Sequence, residues 1–346
     1  MITFHPTIPF RTYIRRLITR PHDPEPRLSA LFPGHSITLT DSGRSALALI
    51  IETLSLEHKR MALPAFLCNN ILPVLKHYNI EPVFLDIDPL TYQPAESAYE
   101  TPCDAALIVA TYGKLPNPSI IQSLRNRGTI VIEDWAHVAL PTTPIDRIDG
   151  DARYYSLSKT LPVPDGGLAI IPKGHVSGST LGHPHTTFTS IKDVKKLMPF
   201  AATTIALARF FFSQNKTASH PPAWHGLAHL RRISRRFLGH ALASQNERSS
   251  AYCHPIRVND LRTAQGRLFE NNIIAEPLWN HPIIEATEID RSQFPNTTKA
   301  AHHTLCVPLW HVRTGNDTRA YEQKLKDALP DEFRGFGEEA GGNELP

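Results

Sequence analysis

The sequence predicts an α/β fold: a mainly parallel sheet covered by helices on both faces, followed by a smaller C-terminal α+β part. Three observations predict it. Short β-branched, apolar runs alternate with segments of helical periodicity between residues 36 and 172. Those runs are apolar almost throughout, as strands buried on both faces must be. After Pro172 the alternation stops and the composition changes.

In chain order, Ser36–Thr40 is a short β-prone run, and Arg44 to Leu54 carries a helical stripe of Ala46, Leu47, Ile50, Ile51 and Leu54. Met61–Phe66 reads as a strand, Asn69–Tyr78 as a helix and Pro82–Ile87 as a strand. Ala105–Thr111, Thr129–Glu133, Ala152–Leu157 and Leu168–Ile171 read as further strands, with a helix at Ser119–Arg127. Strands alternating with helices place ligands at the carboxyl ends of the strands, where the alternation should be searched for chemistry. Beyond Pro172, residues 174–189 read as a loop and 190–248 as largely helical and increasingly basic. Residues 259–272 read as a helix, Thr304–Trp310 as a strand and Asp317–Leu329 as a closing helix. The expected organisation is an arm at 1–35, a large α/β domain at 36–172, a helical segment and small domain at 173–330, and a disordered tail at 331–346.

Composition narrows the function. Of 346 residues 41% are apolar, and 36 Lys and Arg against 33 Asp and Glu leave a net charge of +3, which argues against a nucleic-acid binder. Thirty prolines announce many loops. The four cysteines, Cys68, Cys103, Cys253 and Cys306, have neither metal-ligand spacing nor the density of a disulfide framework, so a reduced cytoplasmic protein is expected. The apolar stretch Met198–Phe212 is too short to span a bilayer and contains Arg209, so it reads as a buried or interfacial helix.

Three places can carry chemistry. Asp134 ends the run Thr129-Ile-Val-Ile-Glu-Asp134, where a buried strand delivers a carboxylate that needs a partner. A protonated pyridinium nitrogen is one such partner, and the N-cap of a following helix is the plainer reading. Lys159, in Tyr154-Tyr-Ser-Leu-Ser-Lys159, follows a strand and precedes Pro162, Pro164 and the turn Asp165-Gly166-Gly167. A lysine in such a partly desolvated loop can form a Schiff base; an exposed loop lysine is the alternative. Ser42-Gly43-Arg44-Ser45 opens a helix whose free N–H groups could hold a phosphate or simply be capped by Asp41 or Ser42.

Taken in this order, the three places resemble the DegT/DnrJ/EryC1/StrS family of pyridoxal-phosphate sugar aminotransferases. Ser42-Gly43-Arg44-Ser45-Ala46-Leu47 is similar to the family's Ser-Gly-Thr-x-Ala-Leu. Leu63-Pro64-Ala65-Phe66 and Pro82-Val83-Phe84-Leu85-Asp86-Ile87-Asp88 resemble its proline-led strand and its PVFVDID strand. Val131-Ile132-Glu133-Asp134-Trp135-Ala136-His137 resembles V-I-E-D-x-A-H/Q, and Ser156 to Lys159 with Asp165-Gly166-Gly167 resembles the lysine loop and its G-E-G-G turn. Phe294-Pro295 and Leu305-Cys-Val-Pro308-Leu309 are similar to a C-terminal segment. The likeness covers 36–172 well and 255–328 loosely.

The resemblance implies a fold-type I enzyme, aspartate-aminotransferase-like, with a seven-stranded sheet and pyridoxal 5'-phosphate as cofactor. Lys159 would carry the cofactor as a Schiff base and move protons. Asp134 would pair the pyridinium nitrogen, and His137 would lie near the ring and its 3-hydroxyl. Gly43, Arg44 and Ser45 would hold the phosphate, with a hydroxyl added by Ser156 or Ser158. The implied reaction moves an amino group from an amino acid, glutamate by expectation, to a nucleotide-linked keto sugar in a homodimer. The family's dehydratases lack the lysine, so Lys159 favours transamination. A different reaction on a non-sugar substrate, or a scaffold without catalysis, stands as the alternative.

The chain departs from the family in two places. A gapless match puts Cys68 where the family has an aromatic residue over the ring, with Phe66 the nearest substitute. The Asn-x-Arg segment that reaches the phosphate across the dimer is not recognisable between 175 and 250, which carries Arg231, Arg232, Arg235 and Arg236 instead. These four read as a solvated helix face, or more sharply as a site for a diphosphate or a weak contact with an anionic membrane surface.

Overall fold

The computed structural model describes residues 2, 4, 6, 23–163, 166–173, 238, 251–312 and 315–336. The arginines 231, 232, 235 and 236, the apolar run 198–212 and Asp165 lie outside the described residues.

A seven-stranded mixed sheet forms the large part. Its strands in chain order are β1 (His35–Thr40), β2 (Arg60–Pro64), β3 (Glu81–Leu85), β4 (Ala105–Val109), β5 (Ile130–Asp134), β6 (Ala152–Ser156) and β7 (Gly167–Pro172). They lie in the order β1-β7-β6-β5-β4-β2-β3. From β6 to β3 every neighbour is parallel, and β7 runs antiparallel to both β6 and β1. Only β7 is reversed, so the carboxyl ends of the other strands and the amino end of β7 share one edge.

The expected two-sided burial is visible along single strands. On β4, Leu107 and Val109 enter one core with the helix α2 (Gly43–Thr53), while Ala106 and Ile108 enter another with Ile121 and Leu124 of α4 (Pro118–Asn126). On β7, Ala169 and Ile171 join the first core, and Leu168 and Ile170 join a third with Leu28 and Phe32. Successive side chains point to opposite faces, so β4 and β7, buried on both, are apolar throughout.

Three differences from expectation have local causes. A helix α1 (Glu25–Leu31) lies within the stretch read as an arm; it starts on Pro24 and buries Leu28 and Leu31. The predicted helix at 69–78 is split into a 3-10 turn (Asn69–Ile71) and α3 (Leu72–His77), with Pro73 at the start of the second piece. Residues 331–336, read as tail, fold back: Phe333 is buried, and the Phe336 N–H donates to Glu322 Oε1 at 3.0 Å.

The small part pairs β8 (Cys253–Arg257) with β9 (Thr304–Pro308) antiparallel and packs them against α6 (Leu261–Glu270) and α8 (Gly315–Ala328). It is tied to the sheet by Asp86, which follows β3. The two oxygens of Asp86 accept the N–H groups of Asn296 and Thr297 at 3.1 and 2.8 Å, capping α7 (Pro295–His303) from the large part. Among the described residues no helix is long and apolar enough to cross a membrane.

Candidate active site

The sheet order brings the sequence-selected residues to one edge in spatial sequence. Ser42 to Ser45 leave β1, Gly167 starts β7, and Ser156, Ser158 and Lys159 leave β6. Asp134 and His137 leave β5, Tyr112 leaves β4, and Phe66 and Cys68 leave β2. This is the edge at which open α/β sheets hold ligands.

At the β1 end, the N-terminus of α2 is built for close approach. Ser42 caps it, its Oγ accepting the Ser45 N–H at 3.2 Å and lying 3.1 Å from Ser45 Oγ. A Cβ on Gly43 would stand 3.2 Å from Ser156 Cβ, so β6 closes directly over the helix start. A Cβ on Gly167 would stand 2.2 Å from the Ser42 carbonyl oxygen, so only glycine fits where β7 passes the turn. The Gly166 N–H donates to the Asp41 carbonyl at 3.0 Å, and the Leu157 N–H to the Gly166 carbonyl at 2.9 Å, locking the three loops together. The result is a cradle of backbone N–H groups at a positive helix end, with Ser156 beside it.

The other end carries charge. Asp134 is 5% exposed. It accepts the Ala136 N–H at 2.8 Å and a hydrogen bond from Tyr154, its register partner on β6. Burial holds its carboxyl above the usual carboxylate range, against the pull of the Lys159 charge and of these two hydrogen bonds. Lys159 stands in the short helical turn α5 (Leu157–Thr160), half-buried, with Nζ 6.0 Å from the centre of the Tyr252 ring. His137 is 3% exposed. Burial first, and the charge of Lys159 second, hold its imidazole well below the ordinary histidine range, so the ring is neutral.

Asp134, His137, Lys159, Gly43, Ser45 and Ser156 therefore converge on this edge. Arg44 is half-buried at the start of α2, and Ser158 is buried within α5. The two candidates for covering a ring separate. Cys68 is half-buried and close enough to Tyr154 to act on its hydroxyl. Phe66 lies beyond the end of β2, fully buried and boxed by Tyr92, Tyr112 and Trp279 at ring distances of 5.9, 6.3 and 5.3 Å.

Four residues join the site without having been singled out. Tyr154 shares a strand face with Ser156, and strand alternation would have found it. Tyr112 follows the end of β4, where the carboxyl-edge rule points. Tyr252 and Trp279 come from the small part, and nothing local in the sequence marks them.

No family model matches the sequence, and no match is found among curated proteins. Solved structures do match. Spr1654 of Streptococcus pneumoniae, assigned as a sugar aminotransferase and solved in its PMP form, superposes with a TM-score of 0.63 over 95% of this chain and 99% of its own, at 14% identity. The chain has the fold of the sugar aminotransferases. A DegT/DnrJ/EryC1/StrS aminotransferase of Brucella abortus gives a TM-score of 0.54 over 88% of each chain at 15% identity. ColD, a GDP-4-keto-6-deoxymannose-3-dehydratase solved as a mutant with bound GDP-perosamine, gives 0.55 over 87% of this chain and 91% of its own at 16%. Identities this low establish likeness of fold.

Proposed function

We propose that the protein is a pyridoxal-phosphate-dependent aminotransferase that moves an amino group from an amino acid, glutamate by expectation, to a keto sugar carried on a nucleotide. The observation that carries the reading is the buried Asp134 carboxyl on the same sheet edge as Lys159, which acts on it by charge without direct contact, beside a glycine-lined helix start. A buried carboxylate held above its usual range lacks a full counter-charge, and a pyridinium N–H is a counter-charge of the right size. The residues present therefore fit the cofactor.

Asp134 would hold the pyridinium nitrogen. The N–H groups of Gly43 and Arg44, with the hydroxyls of Ser45 and Ser156, would hold the phosphate, and His137 would serve the 3-oxygen. Bound there, the cofactor supplies a sink for the electrons released when a proton leaves the amine-bearing carbon. Lys159 would hold the cofactor and would serve as the general base that takes the proton from the donor's α-carbon. In the second half-reaction the amino group carried by the cofactor would replace the acceptor's carbonyl oxygen, which leaves as water, with Lys159 delivering a proton to the acceptor carbon. The nucleotide-linked acceptor is supported by ColD, which binds GDP-perosamine on the same fold. A two-fold homodimer belongs to the same reading.

Rapid mixing of the loaded protein with glutamate should convert the visible cofactor band to the amine form, and keto acid should appear in equal amount. Nucleotide-linked 4-keto sugars should then restore the band. A band that responds to no amino acid would refute transamination, and restoration by simple keto acids alone would refute the sugar acceptor. Sedimentation at micromolar concentration should give a dimer; a fully active monomer would refute that part.

A further inference from the structure

His137 is held on every side the structure describes. Its Nδ1 accepts the backbone N–H of Tyr112 at 3.1 Å, and its own carbonyl accepts the Tyr252 N–H at 2.9 Å. The Tyr112 and Trp279 rings lie nearly parallel to the imidazole, at 5.9 Å and 10° and at 5.0 Å and 19°. These two rings also stack on one another at 5.7 Å and 23°. Tyr252 closes the remaining approach at 5.4 Å.

Both stacking residues adopt a backbone that bulky L-residues avoid. Tyr112 has φ +56° and Trp279 φ +61°. Such conformations persist only where surrounding structure enforces them, and they concentrate at functional sites. At Tyr112 the turn Thr111–Gly113 takes the N–H out of the sheet ladder and gives it to His137. At Trp279 a turn, with the Asn280 N–H donating to the Pro277 carbonyl at 3.3 Å, sets the indole over the imidazole.

We propose that Tyr112 and Trp279 are positioning residues that hold His137 as a neutral imidazole with its proton on Nε2, a fixed hydrogen-bond donor beside Lys159. A ring nitrogen that accepts an N–H carries no proton itself, so the proton sits on the other nitrogen. The titratable groups packed around the ring are Lys159, Tyr112 and Tyr252. Tyr112 and Tyr252 are held neutral by burial, and the Lys159 charge opposes a second positive charge, so among the described residues no neighbour favours the imidazolium. His137 then donates a hydrogen bond without exchanging protons in turnover, and proton transfer is left to Lys159. The tautomer is a property of the chain; its use toward the cofactor rests on the function proposed above.

The test is nitrogen NMR of the full-length protein with labelled histidine, without and with pyridoxal phosphate. The His137 signals are identified by their loss in His137→Gln. Nδ1 should resonate as an unprotonated acceptor and Nε2 as a protonated donor, unchanged between about pH 6 and pH 8, where a free histidine titrates. Trp279→Leu should allow a mixed tautomer, and Trp279→Phe should restore the wild-type signals. A proton on Nδ1, or titration near the free-histidine value in the wild-type protein, would overturn the proposal. So would a Trp279→Leu protein, folded by circular dichroism, that keeps the wild-type signals. A protein that binds no pyridoxal phosphate yet shows this tautomer would refute the proposed function and leave the histidine lock standing.

Discussion

Glu133 and Asp134 are adjacent buried carboxylates on β5, and they face opposite sides of the sheet. Glu133 has a full set of partners. Its Oε2 lies 2.7 Å from Arg153 Nη2 and 3.1 Å from Arg153 Nε, and its Oε1 accepts the Gly150 N–H at 2.7 Å. The Arg153 guanidinium also lies 3.5 Å from the centre of the Trp135 ring. Asp134 continues the Ile132 row on the other face. It has a tyrosine, one backbone N–H and, at longer range, the Lys159 charge. Both carboxylates are removed from water, but among the described residues only Glu133 is in direct contact with a cation. On the function proposed above, the difference separates a charge that closes the fold from one kept for a ligand. A structural carboxylate is satisfied within the chain, whereas a functional one is left short of a partner and raised in pKa.

The largest effect should follow from breaking the satisfied side. Arg153→Met strands Glu133 in the core and should cost about 3–5 kcal/mol of stability in urea unfolding. Adding Glu133→Gln should recover part of that loss, because the uncompensated charge is removed. Where the single variant still folds, its affinity for pyridoxal phosphate should match the wild type. A variant of normal stability would show that the pair contributes little.

Breaking the unsatisfied side should act with opposite signs on two observables. Asp134→Asn should weaken pyridoxal phosphate by roughly 2–5 kcal/mol, the scale of truncating one partner of a buried charge pair. The cofactor-free protein should instead become more stable by about 1 kcal/mol, because a desolvated charge is gone. The sign follows from linkage. A carboxyl raised in the folded state contributes its stability below its unfolded pKa, and this is lost as pH rises through the folded value. The gain from Asp134→Asn should therefore be absent at the acid end and grow as pH rises above the ordinary aspartate range. Equal destabilisation of the free and loaded forms would make Asp134 a structural residue like its neighbour.

The sequence made much of this contrast readable, for reasons particular to each residue. In the run Thr129 to Asp134, Ile130, Val131 and Ile132 are apolar and the last two positions are acidic, so a strand ending in carboxylates was evident. Asp134 was singled out as the residue that ends the run, and strand alternation puts it on the Ile132 face, opposite Glu133. Lys159 and Ser42 to Ser45 were readable as candidates because they sit at strand and helix ends, where α/β sheets hold ligands. The strand read as Met61–Phe66 ends at Pro64, two residues before its apolar run does, so Phe66 lies beyond the ladder. β8 holds Pro255 and His254 among five residues, and its pairing with β9, some fifty residues on, makes it a strand. α7 has the polar sequence Pro295-Asn-Thr-Thr-Lys-Ala-Ala-His-His and little periodicity; its start is fixed by Asp86, more than two hundred residues earlier. Tyr252 and Trp279 reach His137 only through this tertiary assembly.

The smallest expected effect sharpens the comparison at the phosphate end. Gly43→Ala puts a methyl group 3.2 Å from Ser156 Cβ and must push the β6 edge off the helix start by a few tenths of an ångström. Isothermal titration should show pyridoxal phosphate weakened by about tenfold, roughly 1.4 kcal/mol, with thermal stability nearly unchanged. Unaltered affinity would separate this helix start from the cofactor site.

The most direct test of the central claim is borohydride reduction of the protein loaded with pyridoxal phosphate, followed by peptide mapping. The visible band should disappear on reduction, and the phosphopyridoxyl mass should be found on the peptide containing Lys159 and on no other. A label on another lysine, or no label at all, would contradict the account.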